Sequence, residues 1–277
     1  MEEKELIELQ KKVYDFMPLL FEIVKAQYKR ELSFLAPTSH SGKKKAIRYM
    51  LAYNVDYLKK HLIWINYDKK PLNMYQSVAT LKDIPVFSYN LKKRLDDEKY
   101  KEFNENYEQH ITGYDLFFDL DGKEHPEVLH EEALFINDLL RNFKIPYYVL
   151  SSSLRGFHFR IPAEYMPGIN LQKLNSVIKN IKNIYGLQCL DEAIIDYKRL
   201  CKTPYSFVGY SAKELDGSIC LPLSDAQLTV FNKEMIKAGN ILKQVMIKNR
   251  GLLIRTHNLS KEELKSNVAN FINQFTE

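Results

Sequence analysis

Apolar residues recur at helical spacing from residue 5 to residue 30. Leu6, Leu9, Val13, Phe16, Leu20 and Ile23 share one face, and Pro18 marks a break that yields one amphipathic helix or a pair. The Lys-rich turn Ser41 to Lys45 then opens a second predicted helix running through Met50 and Leu58. From Tyr114 the period changes to short alternating runs separated by helices. Tyr114 to Gly122 reads as a strand ending in a turn, and Pro126 to Phe143 as a helix with Leu129, Ala133, Ile136 and Leu140 on one face. Pro146 to Ser151 and Gly156 to Ile161 read as strands, Leu171 to Tyr185 as a helix, and Ala193 to Asp196 as a fourth strand. Strand, helix, strand, strand, helix, strand is the ferredoxin-like order. Residues 225–277 read as mostly helical and rich in basic side chains.

The predicted class is therefore α/β of the α+β kind. An N-terminal helical and α/β module covers 1–112, a ferredoxin-like module of the type also used by RNA-recognition (RRM) folds covers 113–224, and a helical segment covers 225–277. At 277 residues and 45% hydrophobic composition the chain can bury a sizeable core. No apolar run approaches the roughly 18 residues of a membrane span, and Met1 to Glu5 opens with acid rather than with a secretory signal, so a cytoplasmic protein with no membrane partner is expected. Cys189, Cys201 and Cys220 are odd in number and lack the paired short spacing of a structural zinc site, so no zinc is expected. Charge is unevenly spread: Lys25 to Lys70 holds 11 basic and 3 acidic residues, Lys92 to Glu132 holds 6 basic and 13 acidic. The first stretch suits a phosphate-rich partner and the second suits cations.

Gly42-Lys43 ahead of a predicted helix is half of a phosphate-binding P-loop, but Pro37 stands where its first glycine belongs, and no Gly-x-Gly-x-x-Gly loop occurs. Lys43, Lys44 and Lys45 read as a solvated helix N-terminus or, together with Arg48, as contacts to a nucleic-acid backbone.

Three segments can carry chemistry. Asp119 and Asp121 flank Leu120, so strand alternation puts both carboxylates on one face, where they repel unless a cation such as Mg²⁺ or Mn²⁺ bridges them. Alternatively Asp121-Gly122 is only a turn. In Ser151 to Phe159 a polar loop links two apolar strands, and Ser152, Arg155 and His158 can converge on one anion, phosphate above all. No Gly-x-Ser-x-Gly elbow supports a hydrolase there. Asp196 follows an apolar run much as Asp119 does, and Arg199 and Lys202 come just after it, so cation and anion binders adjoin; Asp191 reads as a solvated charge.

Together these segments resemble the archaeo-eukaryotic primases and primase-polymerases. Members share an apolar strand ending in Asp-x-Asp, a Ser-Gly-x-x-Gly-x-His loop, and an apolar strand ending in Asp followed by a basic residue and a Pro-x-Ser turn. Here Phe117 to Asp121, Ser152 to His158 and Ile194 to Ser206 stand in that order. Ser153 replaces the loop's first glycine, Tyr205 takes a position where glycine is common, and Lys202 one where arginine is frequent. The resemblance implies that Asp119, Asp121 and Asp196 hold two divalent metal ions (Mg²⁺ or Mn²⁺) as the catalytic centre. It also implies that Ser152, Arg155, His158, Arg199 and Lys202 bind the incoming nucleoside triphosphate. It implies template-directed nucleotidyl transfer, a primase or polymerase activity on DNA or RNA that extends strands or also starts them. Template and primer would be the partners, with a helicase or other replication, repair or CRISPR-linked proteins beside them. The residues alone leave open a metal-dependent nuclease, an Asp-x-Asp sugar-nucleotide transferase, and a non-catalytic RNA-binding module that would stack bases on Phe117 and Phe159.

Overall fold

The computed structural model of the chain describes residues 2–16, 20, 23–24, 29–36, 45–50, 54–69, 72–82, 84–85, 97–153, 155–166, 168–192, 196–207, 217–238, 240 and 254–276. Two antiparallel four-stranded sheets and a two-stranded ribbon carry the described chain. The first sheet has the order β2-β1-β3-β9, from β1 (Leu32–Ala36), β2 (Lys45–Met50), β3 (Asn73–Ser77) and β9 (Leu200–Lys202). The second has the order β10-β7-β8-β6, from β6 (Leu116–Asp121), β7 (Tyr148–Ser153), β8 (Gly156–Ile161) and β10 (Leu221–Leu223). The ribbon pairs β4 (Ala79–Leu81) with β5 (Ile111–Tyr114).

The helix predicted from the Lys-rich turn through Leu58 is not formed. Lys45–Met50 is instead a strand paired antiparallel to β1, with Phe34 opposite Ile47 and Ala36 opposite Lys45. A helix, α2 (Val55–Trp64), begins only after Asn54, whose side chain accepts the Tyr57 N–H at 3.0 Å. Pairing with β1 satisfies the backbone of this segment more effectively than its weak helical period could alone. At the N-terminus α1 spans Glu3–Tyr14, with Leu6, Val13, Leu20 and Ile23 buried as the spacing predicts.

The second sheet has the expected ferredoxin-like path. α4 (Leu129–Asn142) buries Leu129, Ala133, Ile136 and Leu140, and α5 (Leu171–Tyr185) buries Leu174, Val177, Ile178 and Ile181; α3 (Glu98–Glu105) lies earlier in the chain. Asn170 caps α5 by accepting the Lys173 N–H, and Gly186 closes it at φ 65°, in the left-handed region. Among the described residues, 189–191 pair with β6 at the fourth strand position, and of the predicted strand 193–196 only Asp196 is described. Asp121 N–H donates to Cys189 O and Asp191 N–H to Asp119 O, both at 2.8 Å, while Leu120 pairs with Leu190. Residues 193–195 lie outside the described part of the chain.

In β6 the register places Phe118 opposite Phe159 and Leu120 opposite Phe157, all fully or nearly fully buried, on one face. Phe117 and Asp119 fall on the other face, with His158 and Arg160 opposite them. A buried charge cluster joins this second face to the first sheet. Asp115 accepts from Arg30 Nη2 at 2.7 Å, from Arg160 Nε at 2.9 Å and Nη2, and from the Ala163 N–H at 2.9 Å. Arg30 also donates to Ser77 O and Val78 O at the end of β3. The main apolar core runs from Leu6 in α1 to Phe271 in α7 (Lys261–Gln274), with α6 (Asp225–Thr229) contributing Leu228 to it. No helix among the described residues is long and apolar enough to cross a membrane.

Candidate active site

The site forms at the end of β6, where the two sheets meet. Asp119 faces His158 across the β6–β8 pair, with His158 Nε2 3.3 Å from Asp119 Oδ1. His158 is buried, its ring lies edge-on to Phe117, and its Nδ1 has no hydrogen-bond partner among the described residues. From the other sheet comes Arg199, immediately before β9. Its carbonyl accepts the Val78 N–H at 3.0 Å, and its Nη2 reaches Asp119 Oδ2 at 3.3 Å and Asp191 Oδ2 at 3.5 Å. Burial would raise the Asp119 carboxyl, but the neighbouring His158 imidazole and Arg199 guanidinium outweigh it and hold the group below its ordinary value.

Asp191 is therefore the carboxylate brought beside Asp119, because the strand pairing of residues 189–191 with β6 fixes the two backbones together. From the sequence alone it reads as a solvated charge. A sequence signal exists: Asp191 directly follows Cys189 and Leu190 much as Asp119 follows Phe117 and Phe118. Asp196 has another position. It is exposed, its Oδ1 accepts the Lys198 N–H at 2.6 Å and its carbonyl accepts the Arg199 N–H at 3.0 Å, so it shapes the turn that delivers Arg199. Asp121 lies on the same face as Asp119, is exposed, and accepts the Lys123 N–H at 3.0 Å.

The β7–β8 hairpin supplies Ser152 and Arg155. A Cβ on Gly156 would lie 2.5 Å from Ser152 Oγ and 2.7 Å from Leu120 O, so only glycine lets the hairpin close against β6 here. Ser152 is buried by this contact. Arg155 is exposed, and its carbonyl takes the Gly122 N–H at 2.8 Å, which sets it beside the end of β6. Lys202 is buried on β9, close enough to Cys220 to oppose the burial that pushes that thiol up to about 12. The turn after it is clamped: Tyr205 N–H donates to Cys220 O and Ser206 N–H to Thr203 O, and Ser206 Oγ is buried without a partner among the described residues. Tyr205 stands at φ 62°, the left-handed conformation that glycine adopts at no steric cost.

Among the described residues no three His, Cys, Asp or Glu side chains form a set able to hold a metal ion. What the structure assembles is a pair of carboxylates bracketing one cationic nitrogen.

One solved structure matches the fold over nearly the whole chain. The polymerase domain of Mycobacterium tuberculosis Ligase D, solved in complex with DNA, superposes at TM-score 0.54 and 13% identity, covering 95% of this chain and 91% of that one. The likeness shows a fold shared with that polymerase domain. Two structures of the primase RepB′, one of them its catalytic domain with initiator DNA, match at TM-score 0.41 with 10% and 9% identity. They cover 82% and 83% of this chain and 64% and 99% of their own. No protein-family model and no curated protein sequence matches the chain.

Two expectations from the sequence change. Phe117 and Phe159 are buried, so neither offers the exposed ring on which an RNA-recognition module stacks bases. Arg48 does not project freely from a basic surface: its guanidinium is fixed on the buried Glu31 at 2.8 and 3.0 Å and on Lys198 O at 3.1 Å. Lys43 and Lys44 lie outside the described residues, and of Lys45 only its backbone place on the edge strand β2 is described.

Proposed function

We propose that this chain is a template-directed nucleotidyltransferase of the primase-polymerase kind. It would add nucleotides from nucleoside triphosphates to a DNA or RNA strand. The observation that carries this reading is the cluster Asp119, Asp191, Arg199 and His158, an acidic pair set against cationic and imidazole groups at the junction of two sheets. Nucleotidyl transfer needs this mixture, because a triphosphate must be gripped while its α-phosphorus is offered to a hydroxyl.

The donor chemistry fits a divalent cation. Asp119 and Asp191 already share one cation position, so these two carboxylates, with triphosphate oxygens as the remaining ligands, are the proposed holders. A divalent ion held there, Mg²⁺ or Mn²⁺, would acidify the attacking 3′-hydroxyl and neutralise charge on the triphosphate. His158 keeps Asp119 oriented and ionised. Arg199, Arg155 and buried Lys202 orient the polyphosphate, and Ser152 and Ser206 offer hydroxyl donors to it. The 3′-oxygen then bonds to the α-phosphorus as the bond to pyrophosphate breaks. The basic stretch around Lys43 to Lys45 and the C-terminal segment are the proposed contacts to template and primer.

Incubation with Mn²⁺, labelled nucleoside triphosphates and a primed template tests the proposal. Lengthened primers are expected, and Asp119→Asn should abolish extension while the circular dichroism spectrum is kept. Shortened strands would make the protein a nuclease instead, and an Asp119→Asn variant that extends at the normal rate would end the assignment.

A further inference from the structure

The acidic pair is already occupied, and its occupant is part of the chain. Arg199 Nη2 lies 3.3 Å from Asp119 Oδ2 and 3.5 Å from Asp191 Oδ2. Both distances exceed the roughly 2.7–2.9 Å of a strong charge-assisted hydrogen bond, so the guanidinium is shared electrostatically and not forked onto either carboxylate. The two carboxylates belong to neighbouring antiparallel segments whose backbones are held together by the Asp191-to-Asp119 bond. Arg199's own backbone is equally fixed, by Val78 on one side and the Asp196 turn on the other. Its side chain is the movable part, at 29% exposure with a route to solvent.

We propose that Arg199 is a tethered counter-cation that closes the Asp119–Asp191 pair until a nucleoside triphosphate draws it away. Divalent metal and triphosphate then enter as one coupled event. The inference rests on the nucleotidyltransferase reading and adds an order of binding to it. A metal ion arriving alone must displace the guanidinium from both carboxylates without bringing an anion in exchange. A metal arriving with a triphosphate brings that anion, so each ligand strengthens the other's binding, and by linkage equally.

The test is titration of the full chain with Mn²⁺, following free Mn²⁺ by electron paramagnetic resonance, with and without a non-hydrolysable nucleoside triphosphate. In the unaltered protein the triphosphate is expected to tighten Mn²⁺ by about 5- to 150-fold, the usual range of site-to-site coupling. In Arg199→Gln, Mn²⁺ alone should bind about 5-fold tighter or better, with most of the coupling lost. Arg199→Lys retains a tethered charge and should restore weak Mn²⁺ binding and much of the coupling. Unchanged or weaker binding of Mn²⁺ alone in Arg199→Gln, in a sample whose unfolding midpoint is preserved, overturns the counter-cation role and leaves the transferase reading standing. Failure of the unaltered protein to take up Mn²⁺ even with triphosphate overturns both.

Discussion

Removing the Asp115 carboxylate should be among the most damaging single changes in this chain. Asp115 is fully buried and accepts from Arg30, from two nitrogens of Arg160 and from the Ala163 N–H. In Asp115→Ala, Arg30 still has Ser77 O and Val78 O, but Arg160 loses the carboxylate that offsets its burial and keeps its place over the Tyr148 ring at 5.6 Å. Breaking a buried ion pair from one side typically costs about 3–5 kcal/mol. The orphaned Ala163 amide adds about 1 kcal/mol or more. A total of about 4–6 kcal/mol is a large part of the 5–15 kcal/mol that folded domains usually hold. Urea unfolding can be followed by the emission of Trp64, the single tryptophan, which packs partly buried against the core. The expected midpoint loss corresponds to that range, with a thermal midpoint lower by roughly 10 °C. A loss below about 1 kcal/mol would refute the reasoning, since it would mean the two guanidiniums find other anions or water at little cost.

Two further outcomes follow from the site. Asp191→Ala should reduce primer extension by about 10²-fold or more, as loss of a charge-stabilising ligand does, whereas Asp196→Ala should stay within about tenfold of normal; the opposite ranking in a steady-state extension assay would give the place of the second carboxylate to Asp196. Gly156→Ala would force a Cβ to within 2.7 Å of Leu120 O, so the hairpin must shift, at a cost of about 1–3 kcal/mol in denaturant unfolding. An unchanged midpoint would show that β6 and the hairpin are not held so closely.

Local patterns that need no distant partner are legible in the sequence. The face Leu129, Ala133, Ile136 and Leu140 of α4 is buried as its spacing dictates, and alternation in β6 and β8 puts Asp119 and His158 together on the face opposite Phe118 and Phe159. Helix and strand periods are properties of neighbouring residues, so composition and spacing carry them. Lys45–Met50 was illegible because its state depends on β1 as an antiparallel partner, and pairing of this kind overrides a short segment's own preference. The choice between Asp191 and Asp196 is of the same kind. Both follow apolar residues, and only the pairing of residues 189–191 with β6, some 70 residues earlier in the chain, decides which carboxylate meets Asp119. Arg48 and Arg199 are alike as basic residues in the sequence, yet one is bound to Glu31 and the other closes an acidic pair. What a charge does is set by what the fold places opposite it, and that is decided across sheets, where sequence spacing carries no information.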